Sequence, residues 1–264
     1  MDGAPLYRGG LRGFVFGLKL TQNGFEQAGH LVSITFLVIT ATVLVYGLTA
    51  PALAKKLGVA RPDPQEVLFV GAHDWARAMA KFLQDDGFKV SLVDSHWENV
   101  SSARREGLNA YYKNIVLDNV AEYIDCEGIG KLLALTSNDE VNSLAALSFA
   151  ETFGRAQVYQ LPRQTGWHNP HEENYVSELS GRFLFRPKAT YENITMKFGS
   201  GAVIKKTYMT AEFDFNAFSG RYGDKAMPLF LVKENGDLLA FANDNPPAPQ
   251  PGHYLVALVV EIAE

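Results

Sequence analysis

The chain has 264 residues and a mass of 29.1 kDa, enough for one large or two small domains. Its formal net charge is −5 with no basic block, which argues against nucleic acid as a main partner, and its 47% hydrophobic content is ample for a packed core. A single cysteine, Cys126, excludes an internal disulfide and suits a reducing compartment.

The first predicted element is an apolar run. Residues 31–54, "LVSITFLVITATVLVYGLTAPALA", carry no charged side chain. As a helix they extend roughly 36 Å, more than the ~30 Å hydrocarbon core of a bilayer. A signal peptide would have a shorter apolar region nearer the N-terminus. A buried helix of a soluble protein is the other reading of the same composition. Ser33, Thr35, Thr40, Thr42, Tyr46 and Thr49 punctuate the run, which suits a membrane helix packed in a bundle. Lys55, Lys56 and Arg61 follow directly, placing the C-terminal side in the cytosol, although Arg8, Arg12 and Lys19 on the other side weaken the asymmetry. Residues 1–30 read as a stub too short to span plus a loop turning at Asn23-Gly24. Residues 31–56 read as the transmembrane helix, and 57–65 as a Pro-containing linker.

From residue 66 strands and helices alternate. "EVLFVGA" is a buried strand. "DWARAMAKFLQDDG" is a helix with Trp75, Ala78, Met79, Phe82 and Leu83 on one face. "FKVSLVD" is a second strand ending at Asp94. "SHWENVSSARREG" is a second helix with Ser95 as candidate N-cap and Gly107 as terminator. "LNAYYKN" is a third strand, "VLDNVAEYIDCEGIGK" a short helix, and "LLALTSN" a fourth strand. "DEVNSLAALSFAETFG" is a further helix and "AQVYQLPR" a fifth strand. The alternation predicts an α/β fold, a Rossmann-like parallel sheet over residues 66–165.

Such sheets bind phosphates where the first strand turns into the first helix, on free N–H groups and the helix dipole. The glycine fingerprint of that turn is only partly present. Gly71 keeps the tight turn and Ala76 substitutes for the third glycine, but His73 stands in place of the second. Its imidazole either crowds a pyrophosphate or hydrogen-bonds one. Asp74 favours the helix start and disfavours phosphate. Asp94 lies about 20 residues past Gly71, the spacing at which an acid meets a ribose hydroxyl. The other predicted strand ends carry Lys113-Asn114 and Thr136-Ser137-Asn138-Asp139. On this motif alone, a nucleotide site and a scaffold with a vestigial site are both open.

Residues 166–264 read as a β-rich C-terminal domain after a polar stretch. The segments "RFLFRP", "ENITMKF", "AVIKKTYMTAEFDF", "MPLFLVKENGDLLAFA" and "HYLVALVVEI" are rich in aromatics and alternate, with a hairpin turn at Glu234-Asn235-Gly236-Asp237. His168, His171, Glu172 and Glu173 have no specific metal-ligand spacing, so no metal site is expected. No catalytic acid/base pair stands out either.

Three resemblances add to this reading. "VLFVGAHDWARAMAKFLQDDGFKVSLVDSHWENV", "NAYYKNIV" and "LLALTSNDEVNSLAALSFAETFG", with "TSNDEVN" the most specific part, resemble the RCK/KTN (TrkA-N-like) domain of potassium channels and Trk-type uptake systems. "LVSITFLVITATVLVYGLTAPALAKKLGV" resembles the last membrane helix of sodium (or potassium)/proton antiporters of the cation:proton antiporter superfamily. "PLFLVKENGDLLAFANDNPPAPQPGHYLVAL" loosely resembles the β-rich companion domain that follows many RCK domains.

The resemblance implies a regulatory region in the cytosol, residues 57–264, that forms homodimers, binds NAD(H), ATP, ADP or AMP, and couples occupancy to cation flux by transporter membrane helices. Carried over by position, Gly71, Ala72, His73, Asp74 and Trp75 form the phosphate turn, Asp94 meets the ribose, and Ser95 is a further nucleotide-binding residue. Asn114 stands where many members have an acid near the adenosine. Thr136, Ser137 and Asn138 border the pocket, and Arg163 closes the fifth strand. One apolar helix without Asp or Glu implies a truncated or split antiporter unable to transport alone. The competing functions are a structural dimerisation module with a vestigial pocket and a small NAD-dependent oxidoreductase.

Overall fold

The computed structural model describes residues 28–56, 66–118, 124, 128–163 and 181–260. Residues 1–27 of the expected stub, the linker 57–65, most of the helix expected after the third strand, Cys126 and the polar stretch 164–180 lie outside the described residues. By internal contacts the chain forms two units, Met1–Pro62 and Asp63–Glu264.

The first unit contains helix α1, Ala28–Lys56, of 29 residues. Its window Ser33–Ala50 has a mean hydropathy of 1.9 and none of that window is buried, so among the described residues this helix alone is long and apolar enough to cross a bilayer. The polar side chains do not undo that character. The hydroxyls of Thr42 and Thr49 donate back to the carbonyls of Ile39 (2.9 Å) and Val45 (2.6 Å) within the helix, satisfying themselves one turn away.

The second unit is built on two sheets. The first is a six-stranded parallel sheet of β1 (Glu66–Val70), β2 (Val90–Asp94), β3 (Asn109–Tyr112), β4 (Ile129–Ala134), β5 (Val158–Gln160) and β6 (Arg182–Phe183) in the order β3-β2-β1-β4-β5-β6. Its central strands, EVLFV and IGKLLA, are apolar apart from Glu66 and Lys131, because both faces of a parallel sheet are covered. The helices are α2 (Asp74–Asp85), α3 (Trp97–Arg105) and α4 (Asp139–Phe153), the last two starting after extended residues at His96 and Asn138. One face packs on α4 through Leu68, Val70, Leu132, Ala145 and Phe149. The other packs on α2 and α3 through Phe69, Met79, Leu83 and Val100.

Three features depart from the sequence reading. The expected cap Ser95 does not begin α3. His96 is the N-cap residue, and the Asp94 carboxylate accepts its N–H at 2.8 Å. The segment "RFLFRP" does not start the second sheet, because Arg182 and Phe183 pair in parallel with Tyr159 and Gln160 as the sixth strand. The segment "ENITMKF" is helical, not extended: α5 runs Tyr191–Gly199, and the Thr190 side chain accepts the N–H of Asn193. The alternating Ile194, Met196 and Phe198 suggested a strand, but Tyr191, Ile194 and Phe198 share one helical face.

A further helix, α6 (Phe215–Tyr222), starts at Asp214, which accepts the N–H of Ala217 at 2.8 Å. The second sheet is antiparallel, with order β7-β10-β8-β9, from β7 (Val203–Tyr208), β8 (Ala226–Val232), β9 (Leu238–Ala240) and β10 (Tyr254–Val259). The β8–β9 hairpin turns where expected, with Lys233 N–H donating to Asp237 O.

The two sheets share one hydrophobic core, in which Trp75, Met79, Ile194, Phe218, Phe230 and Val256 belong to a single cluster. They are also joined at an edge. Past β6, Leu184 bridges to Ala242, Phe185 N–H donates to Phe241 O (2.7 Å), and the Arg182 guanidinium grips both oxygens of Asp244 (2.9 and 3.0 Å). Lys206 on β7 pairs with Asp86 just past α2. Because Phe230 lies in the shared core, Phe230→Ala should cost about 3–5 kcal/mol. Tryptophan fluorescence and far-UV circular dichroism in urea should shift together to lower midpoints. Separate transitions would show that the sheets unfold independently.

Candidate nucleotide site

The strand order reverses between β1 and β4, and a cleft opens there at the carboxyl ends of the strands. Its volume is about 330 Å³. Of the expected site residues, Gly71, His73, Asp94, Ser95, Asn114, Thr136, Ser137 and Asn138 line it together. Ala72, Asp74, Trp75 and Arg163 do not. Ala72 and Trp75 are buried in the core, Asp74 faces solvent beside Arg77, and Arg163 is exposed with its guanidinium 3.5 Å from Ser143 Oγ. The cleft also takes Lys113, which the sequence placed at a strand end, and His96, Asn99 and Tyr191, which the sequence did not single out.

Gly71 makes the turn after β1. Its φ is +109°, a left-handed value that a side chain would strain, and its N–H donates to Val93 O at 2.7 Å. Ala72 N–H then donates to Asp94 Oδ2 at 2.8 Å, and Asn99 Nδ2 donates to the same oxygen at 2.9 Å. Asp94 Oδ1 accepts from His96 N–H at 2.8 Å and meets His96 Nδ1 at 3.0 Å. Burial alone would raise the Asp94 carboxyl, but these hydrogen bonds outweigh it and hold the group below its ordinary value. The carboxylate is therefore ionised at neutral pH. Its one replaceable partner is the His96 ring, which is 79% exposed.

His73 replaces the second fingerprint glycine and turns its ring inward. Its Nε2 lies 2.8 Å from Leu135 O, and since a carbonyl only accepts, Nε2 carries the proton. Nδ1 is buried with no hydrogen-bond partner among the described residues. The ring packs against Trp75 (centroids 4.3 Å apart) and edge-on against Tyr191 of α5 (4.9 Å). Burial lowers its pKa more than the Leu135 bond and the Asp94 and Asp74 charges raise it, so the imidazole is neutral at pH 7. Arg77, the guanidinium of this helix start, is engaged by Asp74 (2.8 Å), Glu106 (2.8 Å) and Ala72 O (2.9 Å).

The "TSNDEVN" loop forms the opposite wall. Buried Asn142 accepts the Thr136 N–H (3.0 Å) and hydroxyl (2.7 Å) on Oδ1 and donates to Thr136 O (2.9 Å) through Nδ2. Asn138 caps α4 by accepting the N–H of Val141 at 2.9 Å. The motif is therefore first a device that fixes the end of β4 to the start of α4.

Residues 67–164 match the family model described as the TrkA-N domain, and this region is a Rossmann-like TrkA-N domain. A search of curated protein sequences finds no match. Among solved structures, the chain is similar to the NAD(P)-binding domain of an exopolyphosphatase-related protein from Archaeoglobus fulgidus, at 17% identity over 51% of this chain and 95% of that one, with a TM-score of 0.40. The TrkA-N domain of the inner membrane protein ybaL from Escherichia coli matches at 13% identity over 51% and 93%, with a TM-score of 0.40. The GsuK channel bound to NAD matches at 12% identity over 93% of this chain and 50% of that one, with a TM-score of 0.38. The family match, rather than these distant similarities, identifies the domain.

Two outcomes test the geometry. Asn142→Ala would remove three hydrogen bonds to the half-buried Thr136, at about 0.5–1.5 kcal/mol each. Thermal or urea denaturation should show at least that loss, and an unchanged midpoint would remove Asn142 from this role. For His73 the sign runs with its lowered folded pKa. Below the unfolded value of 6.5 the unfolded chain takes up a proton that the folded chain refuses, so stability falls as pH drops until the folded pKa is reached. His73→Gln should flatten the fall in Tm between about pH 7.5 and 5.5 relative to the parent.

Proposed function

We propose that residues 57–264 are the nucleotide-sensing regulatory region of a monovalent cation/proton antiporter, held at the membrane by α1 and lying in the cytosol. The observation that carries this reading is the cleft at the strand-order reversal, with an ionised, pre-oriented Asp94 at the carboxyl end of β2. The TrkA-N match over residues 67–164 supports it. So does the bilayer-length apolar helix that precedes the sheet in the chain. The ligand class is an adenine nucleotide, NAD(H) or ATP, ADP or AMP. A homodimer through the TrkA-N domain is part of the same proposal.

Sensing needs a contact that differs between occupied and empty states. Tyr191 lines the cleft, touches His73, and lies on α5, which belongs to the same core as the second sheet. A ligand that shifts His73 or Tyr191 therefore acts directly on α5. A second reading, a structural module with a closed pocket, is favoured by one observation: both Asp94 oxygens already have two partners each.

Thermal-shift titration of the full chain in detergent with NAD, NADH, ATP, ADP and AMP separates the two readings. Binding to the folded state alone should raise Tm with ligand concentration, by an amount corresponding to about 2.7 kcal/mol at a hundredfold excess over Kd. Asp94→Ala should weaken that binding at least tenfold. No shift with any nucleotide would favour the structural reading.

A further inference from the structure

A dinucleotide on a sheet of this order must lie across the crevice where the order reverses, with one nucleoside on each side and the pyrophosphate at the start of the helix after β1. In this chain the His73 ring stands at that crossing, in a cleft lined by Asp94 on the β2 side and by Thr136 and Asn138 on the β4 side. The His73 imidazole reaches from the β1–α2 turn to the end of β4, where Nε2 is bonded to Leu135 O at 2.8 Å. A Cβ placed on Gly71 would lie 3.5 Å from both Cδ2 and Nε2 of that ring. The ring thus lies in van der Waals reach of the turn that a pyrophosphate needs to approach. It is not free to swing away, because Trp75 and Tyr191 pack on it at 4.3 and 4.9 Å.

The chemistry agrees with the sterics. The one N–H of the neutral ring is taken by Leu135, and Nδ1 is an acceptor, so the ring offers a phosphate oxygen no donor. Asp74 adds a carboxylate at the helix start, and Arg77 is already neutralised by Asp74 and Glu106. On the β2 side the cleft remains furnished for one nucleoside. Asp94, Asn99 and Asn114 supply polar atoms, and Val93 and Ile115 supply apolar wall. The exposed His96 ring is the partner that ribose hydroxyls would displace from Asp94.

We propose that His73 is the specificity-determining residue of the cleft, admitting a single nucleoside unit, free or as its 5′-monophosphate, and rejecting a dinucleotide. The proposal rests on the nucleotide reading above and narrows it. A nucleoside ends before the crossing that His73 narrows and a 5′-monophosphate brings one phosphate only to its edge, whereas a dinucleotide must carry two phosphates and a second nucleoside through it.

Isothermal titration of the full chain in detergent with adenosine, AMP and NAD tests it. Adenosine or AMP should bind the parent chain at least tenfold more tightly than NAD does. His73→Gly should bring NAD binding within about threefold of AMP, a gain of function that general loosening does not produce. If His73→Gly loses AMP as well, His73→Ser removes the ring while retaining a Cβ and is judged by the same ratio. Equal binding of NAD and AMP by the parent overturns the proposal, as does a variant that keeps AMP and still rejects NAD. A parent chain that binds none of the three ligands overturns the nucleotide reading itself, a separate outcome.

Discussion

Asp94 places a negative charge at the carboxyl edge of a sheet whose interior is apolar, and the surrounding loops are arranged to answer that charge. A buried carboxylate costs several kcal/mol unless hydrogen-bonded. Here the turn after β1 supplies Ala72 N–H, the start of α3 supplies His96 N–H, and the first turn of α3 supplies Asn99. The conformation of the β1–α2 turn and the entry angle of α3 follow from that one group. So does the position of His73, one residue beyond the donor Ala72. The same arrangement makes a carboxylate that is ionised and fixed in direction before any ligand arrives, which is what recognition of vicinal hydroxyls requires.

The second organising feature is the aromatic column of His73, Trp75, Tyr191 and Phe198. Trp75 stacks on Phe198 with ring planes 18° apart and donates its indole N–H to Thr195 at 3.1 Å. The column begins in the cleft and ends on α5, so the parallel sheet and the later segment meet through it. A close-packed interior transmits displacement rather than absorbing it. The cleft is therefore mechanically continuous with the antiparallel sheet.

Much of this was legible in the sequence, for identifiable reasons. The runs "VLFV" and "VSLV" are buried on both faces and leave no competing period, and α4 announces itself with Asn138, Asp139 and Glu140 at its start. Asp94 was legible from its spacing to Gly71. His96 and Asn99 lie two and five residues beyond it, and the side-chain turn they form around a strand-ending aspartate is a local signal that goes with short polar residues there. Tyr191 carried no such signal, because its place in the cleft depends on a contact 118 residues from His73 along the chain. The helix it belongs to was obscured by the alternation of Ile194, Met196 and Phe198, although Thr190 and Glu192 mark its start. A two-residue strand such as β6 has too few residues for any period, and its membership of the first sheet is fixed by pairing alone.

The join at β6 bears on how the sheet ends. An outermost strand with free N–H and C=O groups is a template for another chain. At β6 that template is only two residues long, and its continuation is already claimed by Ala242 and by the Arg182–Asp244 clasp. The opposite margin, β3, is longer and is flanked by the exposed rings of Trp97 and Tyr112, set edge to face 5.6 Å apart. Among the described residues no strand pairs beyond β3, so the two margins of the parallel sheet differ: one is short and clasped, the other longer and bordered by aromatic rings.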